Sequence, residues 1–511
     1  MMQAAVDQSE SVQCVEIEPL RVDLESFGQQ DDRWIWRLRL DRGDDRQVLT
    51  VRLLAPGVSP REGDVADAAM VWLTPLAMLL GVPLEFSPSL PVDAELVERL
   101  QHYQPVLTAG LPAAGCPLRE VPLDVPRRDA LTTPPHDAPE RVVAAAFSGG
   151  VDAHTQAAFS DPRPSMLLYV WGIDGEDVRP ERNARVESRI REAARCHDMP
   201  VGFVETNLHP LLFKHYGFRR LSILIRFGVH GAGHLLARRI NTFTTATDFS
   251  PSEQLLLFAA SQVEHESQII ANYPPVVEMT TSIRVRQEYW SDGRTRMQRV
   301  AALAGVPGAL STVWICQQEA KGKYHGKPPN CGRCEKCQRT LAELAVSGVH
   351  DEQEAFDHQL DPELIAALPP LTGFFRYLFW MDILGKIRAQ PGRFPALERS
   401  VQALTERSLR PDWAPEESLA DPEDLLAGDL PLEDLREHPG YPQWLREHGA
   451  PLAQAVFEDR PARRALQWLA HPLGREHFRL VVLRRLNCAC AGKLGSWLRG
   501  ARLKQILRIS K

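Results

Sequence analysis

The chain has 511 residues, enough for a large hydrophobic core and for two or three domains. Its composition, with 44% hydrophobic and 24% charged residues, is typical of a soluble globular protein. The formal net charge of −7 argues against a chain that binds polyanions along its whole surface.

The sequence patterns predict neither a secretion signal nor a membrane span. Its first residues, MMQAAVDQSESVQ, lack the basic and then apolar pattern of a signal peptide. The longest apolar run, Ala68–Leu84, contains Thr74 and Pro75 and is short for a membrane span, so it predicts a buried helix kinked near Pro75. Nine cysteines, four of them clustered, then favour metal binding over disulfides. We therefore expect a cytoplasmic protein without a transmembrane segment.

The N-terminal part is predicted to combine strands and helices. Within residues 15–55, the stretches VEIEPLRVDL, RWIWRLRLDR and QVLTVRLL alternate apolar and polar residues, as half-buried strands do. Helical patterns follow near residues 66–81 and 92–104. Residues 1–125 are thus predicted to form an N-terminal α+β domain. The next stretch is rich in proline and charge and predicts a linker over residues 126–140.

Strands and helices alternate in the next part of the chain. This rhythm predicts a doubly wound parallel sheet of five strands, covered by helices on both faces, within residues 141–350. Helical patterns cover residues 183–198 and 218–239. The five predicted strands are residues 141–147, 165–173, 200–207, 240–249 and 310–316.

The C-terminal third has no strand pattern. Residues 351–477 are helical in pattern and interrupted by prolines, which predicts a helical region. The tail, residues 478–511, has no Asp or Glu and interleaves basic residues with Leu, Ile and Trp. This basic amphipathic pattern predicts contact with a nucleic acid, an anionic lipid or an acidic protein, or packing on the acidic surface of the chain itself.

The stretch AAAFSGGVDAHTQAAF places Ser148, Gly149 and Gly150 at the carboxyl end of the first parallel strand, where such sheets bind ligands. Two glycines permit a tight turn and a close approach to a ligand, and the helix beginning at Val151 offers N–H groups that favour an anion. Asp152 would repel bare phosphate unless Mg²⁺ lies between them. These five residues predict a pyrophosphate site with a metal ion; a plain strand–turn–helix connection is the alternative.

Four cysteines predict a metal centre. Cys331, Cys334 and Cys337 follow C-x2-C-x2-C spacing, and Cys316 ends the last predicted strand. Four thiolates suit a tetrahedral, structural Zn²⁺. An Fe–S cluster is the alternative metal centre.

Ser148, Gly149, Gly150 and Asp152 resemble the Ser-Gly-Gly-x-Asp-Ser signature of the PP-loop ATP pyrophosphatase superfamily, although Ala153 replaces the usual Ser or Thr. With the CGxCxxC motif, residues 141–345 resemble its 7-cyano-7-deazaguanine synthase branch. The resemblance implies an adenine nucleotide alpha hydrolase-like fold that binds ATP and Mg²⁺. It also implies that ATP is cleaved between its α- and β-phosphates, that a carboxylate is activated as an adenylate, and that ammonia is the nitrogen donor. Ser148 and Asp152 take the catalytic positions.

Further residues are candidates for nucleotide or substrate contacts. Arg296 and Arg299 occupy the places of an Arg-x-x-Lys pattern in relatives and suit bidentate phosphate binding, or else belong to a solvated helix face. Asp174 follows the second strand, near the expected adenosine site. Asp248 either faces the cleft or caps the next helix. Other candidates are Asn207, Glu278, Ser282, Arg294, Lys321, Lys323 and His325.

Three functions are compatible with these features. The first is an ATP-dependent C–N ligase that forms an amide or nitrile from a small-molecule carboxylate and ammonia, with the identity of the carboxylate open. The second is a tRNA-thiolating PP-loop enzyme with an Fe–S cluster. The third is a non-catalytic, nucleotide-binding descendant, for which Ala153 is the supporting feature.

Overall fold

The structure is a computed structural model. It describes residues 17–109, 118–128, 142–173, 180–218, 221–249, 274–291, 293–316, 318, 328–349, 354–371 and 374–408. Among these residues, the strands are β1 (Leu20–Gln30), β2 (Arg33–Arg42), β3 (Asp45–Leu54), β4 (Leu84–Phe86), β5 (Val92–Asp93), β6 (Leu123–Asp124), β7 (Arg127–Arg128), β8 (Val143–Ala146), β9 (Met166–Trp171), β10 (Val201–Thr206), β11 (Thr242–Ala246) and β12 (Arg286–Trp290).

The helices lie between and after these strands. In chain order they are α1 (Glu62–Leu80), α2 (Ala94–Ala109), α3 (Val151–Phe159), α4 (Pro180–Arg195), α5 (Leu221–His234), α6 (Pro274–Glu278), α7 (Arg296–Leu303), α8 (Ala309–Thr312), α9 (Glu335–Val346), α10 (Pro362–Ala367), α11 (Phe374–Arg388) and α12 (Pro395–Ser408), with a π-helix over Pro210–His215 between β10 and α5.

A ten-stranded, mostly parallel sheet runs through the molecule, in the order β12-β11-β8-β9-β10-β3-β2-β1-β4-β6. The strands from β12 to β10 are all parallel, and β1, β4 and β6 are parallel as well. The hairpins β1–β2 and β2–β3 are antiparallel, and β3 joins β10 in antiparallel pairing. The α/β class is therefore confirmed.

The N-terminal strands belong to the same sheet as the parallel strands. Asn207, just after β10, strengthens the joint, because its side-chain amide donates to the Val48 carbonyl (2.8 Å) and accepts from the Thr50 amide (2.7 Å). The sheet thus continues across the predicted boundary between the N-terminal domain and the parallel part. The proposed division of the chain into domains stays a prediction.

Four of the five predicted parallel strands are confirmed as β8, β9, β10 and β11, but the fifth prediction is wrong. Residues 310–316 end α8 and continue as an extended segment outside the sheet, and β12 takes the fifth position. The physical reason is that the backbone N–H groups of Ile315 and Cys316 donate to the Asn330 side chain instead of a neighbouring strand. The sequence pattern did not predict the edge strand β12, because Arg286 and Glu288 give this strand a polar face.

Helices cover both faces of the parallel part. On one face α3 and α4 pack over Phe147, Trp171 and Phe203. On the other face α1 packs closely on α5, where the indole of Trp72 donates to the Gly228 carbonyl (2.9 Å). The parallel part of the ten-stranded sheet is thus covered by helices on both faces.

Helix α1 contains most of the long apolar run. Among the described helices it has the length and composition of a membrane span, yet 83% of its most apolar 18-residue window is buried within the fold. The prediction of a buried helix is confirmed. Pro75 lies inside it.

Helices α10, α11 and α12 continue the fold after the parallel part, as predicted for a helical C-terminal region. Helix α12 packs on both α10 and α11, and α11 also packs on α7 and α9. Residues 409–511, with the basic tail, lie outside the described residues.

Candidate functional site

The predicted phosphate loop lies where the direction of the sheet changes. From β8 the chain adds β9 and β10 on one side and then returns to place β11 on the other side of β8. In open α/β sheets, ligands bind in the crevice at the carboxyl ends of two such strands. Ser148, Gly149 and Gly150 follow β8, and Thr247 and Asp248 follow β11, so the sequence motif and the topology identify the same place.

The backbone of the loop requires glycine. Gly149 has a φ of +74°, a left-handed conformation that glycine adopts without strain. Its carbonyl accepts a hydrogen bond from the Trp314 amide (2.7 Å), and the Gly150 amide donates to the Ser148 hydroxyl (3.3 Å). Gly150 caps α3 without a side-chain hydrogen bond, so the N–H groups of the first helical turn are open to an anion.

Asp152 lies in the first turn of α3 and accepts hydrogen bonds from two guanidiniums. Arg299 donates to its Oδ1 (2.8 Å), and Arg296 to its Oδ2 (3.3 Å). Burial raises the pKa of Asp152, but the charges of Arg296 and Arg299 more than offset this and hold the pKa below its ordinary value. Asp152 is therefore a carboxylate at neutral pH.

The two arginines are buried and do not form a solvated helix face, which rules out that alternative. Arg299 is 0% exposed and also donates to the Thr247 carbonyl (2.6 Å), so it ties α7 to the end of β11. Arg296 donates to the Thr340 hydroxyl (3.3 Å) and pairs with Glu343 (3.4 Å). Both contact Asp152, and their predicted contact with phosphate stays a prediction.

Helix α9 contributes a row of charges that the sequence reasoning missed. Arg339 pairs with Glu335 (2.9 Å) and Glu343 (3.7 Å) and lies over the ring of Phe379 from α11 (4.4 Å). The Trp380 indole donates to Glu335 (3.0 Å). The signal in the sequence was the spacing of Glu335, Arg339 and Glu343, since residues four apart share one face of a helix.

Lys336 was missed as well. It is half-buried at the start of α9, between Cys334 and Cys337. Burial and the guanidiniums of Arg296 and Arg339 lower the pKa of Lys336. Its ammonium is therefore electrostatically coupled to the buried charges beside the loop.

The other candidates have varied outcomes. Asp248 pairs with Arg226 (2.8 Å), and its side chain is 57% exposed. Glu278 pairs with Arg99 (2.6 Å), and the Ser282 hydroxyl accepts from the Val285 amide (3.0 Å). Arg294 lies over the ring of Phe159 at 4.6 Å, and Asn207 binds the backbone of β3. The remaining candidates lie outside the described residues: Asp174, Lys321, Lys323 and His325.

The four cysteines form a compact cluster, which we call the knuckle: Cys316, Cys331, Cys334 and Cys337. All four Sγ atoms lie within 4.8 Å of one another, with Cys331 and Cys337 at 3.9 Å and Cys334 and Cys337 at 3.4 Å. A tetrahedral site with Zn–S bonds of about 2.3 Å separates its sulfurs by about 3.8 Å, whereas a disulfide needs about 2.05 Å. The knuckle can therefore bind a metal such as Zn²⁺.

The four thiols of the knuckle differ in how readily they lose a proton. Hydrogen bonds from Cys331, Cys334 and Cys337 lower the pKa of Cys316, whereas hydrogen bonds within the same cluster raise the pKa of Cys334 and of Cys337. Cys316 therefore becomes a thiolate more readily than Cys334 or Cys337. Thiolates are the form of cysteine that ligates metals.

Two residues fix the knuckle. Asn330 is fully buried, accepts from the amides of Ile315 (2.8 Å) and Cys316 (3.1 Å), and donates to the Val313 carbonyl (2.7 Å). Gly332 has a φ of +67°, and a Cβ there would collide with the backbone of His358. The segment carrying Cys316 is thereby held against the other three cysteines.

The knuckle and the phosphate loop share a support. Trp314, whose amide holds the Gly149 carbonyl, lies two residues before Cys316. A metal bound in the knuckle would therefore fix the segment against which the loop rests.

Comparisons of the chain with family models, with curated proteins and with solved structures find no match.

Proposed function

We propose that the chain has the PP-loop ATP pyrophosphatase fold and is an ATP-dependent enzyme that activates a carboxylate as an adenylate for nitrogen transfer. The observation that carries this proposal is the Ser-Gly-Gly-x-Asp loop at the topological switch point. There Asp152 is partly buried beside Arg296, and the first turn of α3 has no side-chain cap.

The reaction has two balanced steps. A carboxylate oxygen of the substrate attacks the α-phosphorus of ATP, the bond from that phosphorus to the bridging oxygen breaks, and pyrophosphate leaves. Ammonia then attacks the acyl carbon, AMP leaves with its phosphate oxygen, and one proton is released. A nitrile would need a second activation of the amide by the same route.

The residues of the loop have distinct roles in this scheme. The N–H groups of the first turn of α3 and the Ser148 hydroxyl donate to the pyrophosphate oxygens. Asp152 is the residue that would hold Mg²⁺, which neutralises phosphate charge when bound. Arg299 keeps the Asp152 carboxylate ionised and oriented, because its own guanidinium is fixed by the Thr247 carbonyl.

The knuckle would have a structural role. Four protein thiolates fill a tetrahedral coordination sphere and leave no position for a substrate or a water. This closed set also favours zinc over the three-cysteine Fe–S cluster of the thiolating alternative.

The substrate class is a small-molecule carboxylate, with ammonia from solution or from a partner. A protein or nucleic-acid partner at the basic tail, residues 478–511, and a cytoplasmic location complete the proposal.

The test is pyrophosphate release from ATP by the metal-loaded chain, with Mg²⁺, ammonium and a panel of carboxylic acids. We expect release that depends on one class of acid. Asp152→Asn should lower the rate of pyrophosphate release about 100-fold or more. The substitution removes a carboxylate charge and so weakens the electrostatic stabilisation of the charge that develops in the reaction. Asp248→Asn, a neighbouring exposed carboxylate, is the matched control.

Two outcomes would contradict the proposal. ATP binding without pyrophosphate release for any acid would support a non-catalytic nucleotide-binding protein. Iron with charge-transfer absorbance in anaerobically purified protein would support sulfur transfer, with tRNA as the substrate to try.

A further inference from the structure

The charges beside the loop are almost fully paired with one another. We call this set the switch-point cluster. Arg296 and Arg299 share Asp152, Arg296 and Arg339 share Glu343, Arg339 also pairs with Glu335, and Arg226 pairs with Asp248. Within the described part of the chain, four guanidiniums and four carboxylates thus neutralise one another. Its members are Asp152, Arg226, Asp248, Arg296, Arg299, Glu335, Arg339 and Glu343.

Lys336 is the exception beside this cluster. Asp152 and Asp248 attract its ammonium, while Arg296 and Arg339 repel it. Yet among the described residues no carboxylate lies within ion-pair distance of Lys336. Lys336 therefore adds a positive charge that has no direct counter-ion within the part of the chain that the structure describes.

An unpaired ammonium at a half-buried position is costly, because burial removes water without supplying a partner. Such a group is retained at little cost only where an anion completes its pairing. Thr340, one turn after Lys336 on the same face of α9, accepts from Arg296, and Arg296 also donates to Asp152 in the first turn of α3. The N–H groups of that turn have no side-chain cap. One anion between α3 and α9 would satisfy both sets of donors.

The backbone position of Lys336 is fixed by the knuckle. It lies between Cys334 and Cys337, and the next residue but one, Gln338, is buried and accepts from the Asp361 amide (2.9 Å). The lysine thus extends from a rigid support.

We infer that Lys336 is a direct ligand of the phosphate chain of the nucleotide, delivered to the loop by the metal-binding knuckle. The inference rests on the proposed function, because it assigns a residue to the same nucleotide site. It predicts that the knuckle contributes to the phosphate site a cation as well as a support.

The first test is the affinity of the metal-loaded full chain for inorganic pyrophosphate and for ATP with Mg²⁺, measured by calorimetry. Lys336→Met keeps the length of the side chain and removes its charge, so we expect binding at least about tenfold weaker, as for a lost hydrogen bond to a charged group. Lys336→Arg should recover much of the loss. Lys386→Met, at an exposed lysine of α11, should bind like the unchanged chain. Metal content is measured for each variant.

A second test needs no variant. An amine-acetylating reagent is applied to the unchanged chain with and without saturating pyrophosphate, and the labelling of each lysine is quantified by mass spectrometry. Pyrophosphate should lower the labelling of Lys336 several-fold and leave Lys386 unchanged.

The outcomes separate this inference from the proposed function. If the unchanged chain binds pyrophosphate and ATP, but Lys336→Met with full metal content binds equally well, the lysine assignment is wrong and the proposed function stands. Unprotected Lys336 in the labelling experiment leads to the same conclusion. If the unchanged, metal-loaded chain binds neither ligand, the proposed function fails and the inference fails with it.

Discussion

Two groups of paired charges in the described part of the fold differ in what they leave unpaired. The switch-point cluster borders a loop with open N–H groups and the unpaired Lys336. The second, which we call the closed cluster, lies where α1 meets β5 and β7. Its carboxylates accept from guanidiniums and from backbone amides. It consists of Asp64, Asp67, Asp93, Arg128, Arg238 and Arg284.

Asp67 illustrates the closed arrangement. It is 0% exposed, and its two oxygens accept from the Asp93 amide (2.8 Å) and the Arg128 guanidinium (2.6 Å). Burial raises the pKa of Asp67 to about 7, in spite of Arg128, whereas two guanidiniums lower the pKa of Asp152. Carboxylates and guanidiniums make up both clusters. A ligand site therefore differs from the closed cluster in the hydrogen-bond donors that remain after the charges have paired with one another.

The largest effect should come from breaking the knuckle, which belongs to the switch-point side only. Cys337→Ser removes one thiolate, so we expect loss of the metal and destabilisation of that region by about 5 kcal/mol or more. Metal analysis and urea unfolding measure the two effects. Cys196→Ser, a half-buried thiol outside the knuckle, is the control. Full metal retention by Cys337→Ser would show that this residue is not a ligand.

Substituting one aspartate in each cluster tests whether the two clusters differ in function. Asp67→Ala leaves the Arg128 guanidinium buried without its partner, so it should lower the free energy of unfolding by about 3–5 kcal/mol. Pyrophosphate affinity should not change. Asp152→Asn should show the opposite pattern, with weak binding and a smaller loss of stability. The comparison would be wrong if Asp67→Ala weakened binding with the fold intact.

The stability of the fold should fall on acidification. Burial lowers the pKa of His154 and His230 to about 3 and of His197 and His234 to about 4, against 6.5 when unfolded. The stability that these neutral histidines contribute is fully present above pH 6.5. It is lost as the pH falls from 6.5 toward the folded-state pKa values, by up to about 1.4 kcal/mol per pH unit for each histidine.

Asp67 acts in the opposite direction, because its folded pKa is raised. Its contribution is present below about pH 4 and is lost as pH rises through about 7. Burial also raises the pKa of Asp64, Asp93 and Glu343, so these carboxyls oppose the histidines as Asp67 does. Urea unfolding should therefore show a loss between pH 7.5 and 5.5 that is smaller than the roughly 5 kcal/mol expected from four neutral histidines alone. Asp67→Asn should make this loss steeper, and an unchanged pH dependence in that variant would show that burial does not raise the pKa of Asp67.

Substitutions at two glycines with left-handed backbones distinguish the cost of backbone strain from the cost of a steric collision. Gly332→Ala meets the His358 backbone and should cost about 3 kcal/mol and weaken metal binding. Gly348 has a φ of +80° and nothing within 4 Å of a built Cβ, so Gly348→Ala should cost about 1 kcal/mol. Thermal unfolding with metal analysis compares them. Similar costs would mean that the backbone of the knuckle moves to accept a side chain.

The smallest effect should come from Asp248→Asn. Its pair with Arg226 is partly exposed, and such pairs contribute about 1 kcal/mol or less. Pyrophosphate affinity should change less than about threefold by the same reasoning. A tenfold loss of affinity would instead place Asp248 in contact with the ligand.

The sequence predicted the parts whose signals are local. The strand before Ser148, the glycine turn and the cysteine spacing all lie within short stretches, and the structure describes them as expected. The fifth strand was misplaced because LSTVWIC has strand composition, while its hydrogen bonds are taken by Gly149 and Asn330. Those partners lie far away in sequence, so composition alone does not reveal them.

Pairing between distant charges was also beyond local patterns. Asp152 and Arg299 are 147 residues apart, and Arg296 meets Glu343 only because α7, α9 and α11 pack together. The charge surplus at Lys336 likewise depends on how the distant charges around it pair in the folded chain. Local sequence patterns therefore predicted the loop and the cysteine cluster, whereas packing determines the electrostatics around them.

The nucleotide site is best tested by calorimetric titration of the metal-loaded chain with ATP, with and without Mg²⁺. We expect saturable binding that Mg²⁺ strengthens and that Asp152→Asn weakens at least about tenfold. A chain with full metal content that binds no ATP under either condition would contradict the proposed nucleotide site.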